Sequence, residues 1–197
     1  MSPRTHLEAI LEGIRTGEKT ELPGYSSEIR MLWKDIPVAP LLSLKGQLGK
    51  MGMEDREAFL QEALTSVALR RPGPFREIAQ EPSHPLWSAA AEILSDTGIP
   101  EDLDLLIGII PDIPGKSLPD LVRAIGRFRT GRAVKAISPY LLSEDESVAF
   151  EAATALRDNA SPTALKLLKE ALRTRRAAGG ARPMLEAIVR ELERKTA

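Results

Sequence analysis

The sequence predicts an all-α protein built of stacked antiparallel helix pairs, an α-solenoid with a less regular N-terminal part. Three observations lead there. Written in steps of 31 residues, the stretch 87–172 aligns with itself: Leu94, Ile125 and Leu156 share one column, and Ala90, Leu121 and Ala152 another. Leu103, Val134 and Leu165 make a third, Leu106, Ile137 and Leu168 a fourth, and Ile110, Leu141 and Leu172 a fifth. Recurrence of that kind means each unit buries its apolar face against the next copy. Elsewhere the apolar residues recur at helical spacing, and no strand signal competes. Aromatics are only 4% of a chain rich in Ala and Leu, which favours close-packed helices over sandwiched sheets.

Taken in order, Thr5 and Glu8 have capping-box spacing at the head of a first helix. Its apolar face is Leu7, Ile10, Leu11 and Ile14. Gly17 stops it, and residues 19–25, with Pro23-Gly24 inside, read as a loop. Ser26 or Ser27 caps a short second helix carrying Ile29, Leu32, Trp33 and Ile36, closed by Pro37. Residues 40–51 and 54–69 follow as helices, the latter with Phe59, Leu60, Ala63, Leu64 and Val67 on one stripe. Pro72-Gly73-Pro74 then breaks the chain, leaving residues 75–80 room for a turn or two.

From Pro85 the pattern turns regular. Pro85 suits a first helical position, where its missing N–H costs nothing, and Gly98 supplies a left-handed stop. Pro100 opens the next helix, with Glu101 and Asp102 at its dipole-favoured start. Ser117 and Asp120 cap a helix to Phe128, and residues 132–142 form another. Ser143 with Glu146 makes a capping box for a helix to Arg157, with Asn159 as its left-handed stop. Ser161-Pro162 starts a helix to about Arg176, Gly179-Gly180 breaks it, and Pro183 begins a terminal amphipathic helix. Residues 1–80 therefore read as an irregular helical part. Residues 81–197 read as repeats closed by a C-terminal capping helix.

The repeat units carry a resemblance. "FEAATALRDNASPTALKLLKEAL" (150–172) is similar to a HEAT repeat: an Ala-rich helix, a short turn, then a second helix led by Pro. "WSAAAEILSDTGIPEDLDLLIGII" (87–110) resembles it too, and "LVRAIGRFRTGRAVKAISPYLL" (121–142) is a weaker copy. The resemblance implies a surface for binding another protein and says almost nothing about chemistry. Residues such as Ser88, Glu92, Asp120, Arg123, Glu151 and Thr154 would line the binding face.

Composition narrows the function further. With no cysteine, disulfides, thiolate nucleophiles and Cys-ligated metals are excluded. The two histidines, His6 and His84, lie far apart at helix starts and make no metal or catalytic set. No phosphate-binding loop, nucleophile elbow or metalloprotease helix is present, so no cofactor, metal or catalytic residue is expected. Trp33 and Trp87 occupy apolar-stripe positions and read as core. A net charge of −1 gives no reason to expect nucleic acid or a membrane surface, and no apolar run approaches a membrane span or signal peptide. The expected address is the cytoplasm. The alternative reading is a nucleic-acid-binding protein, since some DNA glycosylases resemble this architecture. HEAT-like bilin lyases and chaperones share it as well, but nothing marks a pigment site.

Charge is uneven along the chain. Residues 76–112 hold eight acids and one base, residues 116–135 six bases and one acid, and residues 157–197 ten bases and five acids. The 31-residue register sets Glu92 against Arg123, Asp96 against Arg127, Glu101 against Arg132, Asp104 against Lys135, and Arg127 against Asp158. This predicts a charge ladder through Asp96, Arg127 and Asp158, with Glu92 and Arg123 beside it. Arg129, aligned with Gly98 and Ala160, is left without a partner and becomes the first candidate for an outside ligand. Arg173, Arg175 and Arg176 are a second candidate anion contact.

Overall fold

The computed structural model describes residues 3–174 and 181–196, and among these every regular element is a helix. The chain forms two compact units, Met1–Ile99 and Pro100–Ala197. The first holds α1 (Pro3–Thr16), α2 (Leu22–Met31), α3 (Val38–Lys50), α4 (Glu54–Arg70), α5 (Gly73–Ala79) and α6 (Trp87–Thr97). In it α4 packs against α2, α3 and α6, while α5 packs against α6. α4 is helical for the reasons its sequence gives. Leu60, Ala63, Leu64, Val67 and Ala68 make one buried stripe, and Glu54, Asp55 and Glu57 meet the positive end of the helix dipole. α6 belongs to this unit although its residues obey the 31-residue spacing. Trp87 is buried there and donates its indole N–H to the Ala79 carbonyl at 2.8 Å.

The early helices begin sooner than the punctuation suggests. α1 starts at Pro3, so Thr5 lies within its first turn rather than at its head. The expected loop at 19–25 is a 3-10 turn (Lys19–Glu21) running into α2, because Pro23 falls in the first turn of α2, where proline is tolerated. Ser26 is consequently no cap. It is buried, and its hydroxyl donates to the Phe59 carbonyl at 3.2 Å. Residues 32–36 lie beyond α2, which leaves Trp33 half-buried rather than in the core. Two arginines tie off these helix ends. Arg56 donates to the Ile14 and Gly17 carbonyls (2.6 and 2.5 Å), and Arg71 to those of Lys34 and Ile36.

The second unit holds α7 (Pro100–Gly108), α8 (Leu118–Arg127), α9 (Gly131–Ile137), α10 (Glu146–Asn159), α11 (Pro162–Arg173) and α12 (Ala181–Thr196). α8 packs against α10 and α10 against α12, while α9 and α11 attach to α8 and α10 as their partners. This is the expected stack of helix pairs. α9 is shorter than its pattern because the chain tightens into a 3-10 segment, Ser138–Leu142, at Pro139. Asp145 rather than Ser143 caps α10, accepting from the N–H groups of Ser147 and Val148. Thr130 and Ser161 cap α9 and α11.

Burial follows the repeat columns. Leu94, Ile125 and Leu156 are all fully buried, as are Ala90, Leu121 and Ala152, and Leu106, Ile137 and Leu168 are sealed in the same way. The third and fifth columns fade at Leu165, Ile110 and Leu172, which are half-buried. A sixth column, this one of backbone shape, runs through the turns. Gly98, Arg129 and Ala160 all have left-handed φ, at 69°, 53° and 52°. The stop expected at Asn159 is thus one residue later, because Asn159 completes the last turn of α10.

Candidate functional site

The repeat geometry makes a cleft between α8 and α10. On α8, Arg123, Gly126 and Arg127 fall three and four residues apart and share one face. On α10, Glu151, Thr154, Ala155 and Asp158 follow at i, i+3, i+4 and i+7. Arg129 also lines the cleft, whose volume is about 70 Å³. Within it, Gly126 of α8 lies against Ala155 of α10, leaving no room for a Cβ at position 126.

Polar groups around the cleft are organised. Arg123 Nη2 reaches Glu151 Oε1 at 2.9 Å and Asp120 Oδ1 at 3.2 Å, holding α8 to α10. Asp158 pairs with its neighbour Arg157 at 2.9 Å. Among the described residues Arg129 makes no side-chain ion pair, and its backbone is clamped instead. Asn159 Nδ2 donates to the Arg129 carbonyl at 2.7 Å, while Asn159 Oδ1 accepts from the N–H of Ser161 at 3.3 Å. A side chain with φ of +53° crowds its own Cβ against the following carbonyl, so this turn is held by its surroundings.

Of the residues named from sequence, the structure brings Arg123, Arg127, Arg129, Glu151, Thr154 and Asp158 onto this one cleft. Asp120 contributes through Arg123. Glu92 and Asp96 belong to the first unit, where Lys45 Nζ lies 2.6 Å from Glu92 and the Gln61 amide donates to Asp96. Arg132 pairs with Asp104 at 2.8 Å rather than with Glu101, its expected partner, because Asp104 lies one turn further along the same face of α7. Arg173, at the end of α11, is exposed and apart from the cleft, and Arg175 and Arg176 lie outside the described residues.

Lys45 was not visible as a polar centre in the sequence. It is buried on the leucine-rich helix α3 and bridges Glu57 (3.1 Å) and Glu92 (2.6 Å), a structural junction within the first unit. A wider groove of about 520 Å³ lies along α2 and α4, lined by Arg30, Gln61, Glu62, Thr65 and Leu69, with Arg30 bound to Glu62 at 2.6 Å. Among the described residues no three His, Asp or Glu side chains group as a metal site, and no helix is long and apolar enough to cross a membrane.

Residues 120–187 match the family model for HEAT repeats, a segment that begins in α8, ends in α12 and contains every residue lining the cleft. No curated protein matches the chain.

Proposed function

With HEAT repeats over residues 120–187 as the premise, we propose that the protein is a non-enzymatic interaction module that binds another protein through the α8–α10 face. HEAT repeats commonly serve as protein-binding surfaces, which is the general support. The observation that carries the reading is the cleft itself. At about 70 Å³ it is far below the roughly 300–1,000 Å³ of small-molecule sites, yet it sits in a surface row of charged side chains already fixed by ion pairs. Such a surface is suited to receiving one side chain of a larger partner.

The test is affinity purification of the tagged protein from its native cells, with the eluate analysed for protein and for nucleic acid. A stoichiometric protein partner with an absorbance ratio typical of pure protein supports the reading. Nucleic acid as the main bound species, surviving raised salt, would instead favour a nucleic-acid-binding protein.

A further inference from the structure

We draw no further inference here: the strongest candidate, the groove of about 520 Å³ along α2 and α4 with exposed Leu69 on its wall, lies open on the first unit, and nothing in the structure shows what covers it.

Discussion

A methyl group added at Gly126 would stand 2.3 Å from the Cβ of Ala155, closer than side-chain carbons ever approach. α8 and α10 are therefore spaced by these two residues, and the cleft above them exists because neither is larger. Gly126→Ala should force the helices apart and cost about 1–3 kcal/mol. In a chain of this size each kcal/mol lowers the thermal midpoint by about 2–4 °C. A midpoint equal to wild type would show that the contact is slack.

The left-handed column gives a test with opposite sign. Ala160→Gly removes roughly 1–2 kcal/mol of steric conflict and adds about 0.4–1 kcal/mol of unfolded-state entropy. The variant should be more stable by about 0.5–1 kcal/mol. Asn159→Ala, which deletes the bond to the Arg129 carbonyl, should be less stable by about 0.5–1.5 kcal/mol. Chemical denaturation of both variants checks the pair, and a destabilised Ala160→Gly contradicts the assignment.

The repeat columns predict unequal cores. Leu156 is fully buried and Leu165 only half so. Leu156→Ala should cost about 2–5 kcal/mol, and Leu165→Ala clearly less. Equal losses would mean that burial along the stack does not follow the columns.

These columns were legible because apolar positions 31 residues apart meet the same surroundings, and periodicity records that directly. Helix ends were less so. Asp145 took the cap expected of Ser143, because two neighbouring polar residues compete for that end, and Ala160 took the left-handed turn expected of Asn159, because Asn159 completes the last turn of α10. Of the cleft, the shared helical face of Glu151 and Thr154 could be read from their spacing, as could the place of Arg123 on the preceding helix. The close approach of Gly126 to Ala155 and the bridging by Lys45 could not. Lys45 meets carboxylates 12 and 47 residues away, and no local pattern encodes such a meeting.

Lys45 supplies a further prediction. Lys45→Met fits the apolar surroundings but leaves Glu57 and Glu92 without their shared cation. It should cost about 1.5–3 kcal/mol, read from urea unfolding. No change in stability would make the junction incidental.

The account stands on the α8–α10 cleft being the surface that a protein partner occupies. The direct measurement is the affinity of the co-purified partner for the wild type and for Thr154→Trp, by calorimetric titration. That change fills the cleft without removing the Arg123–Glu151 or Arg157–Asp158 pairs. The account predicts a loss of at least about tenfold, or roughly 1.4 kcal/mol, with unchanged thermal stability. Equal affinity for both proteins would contradict it and place the partner on another face.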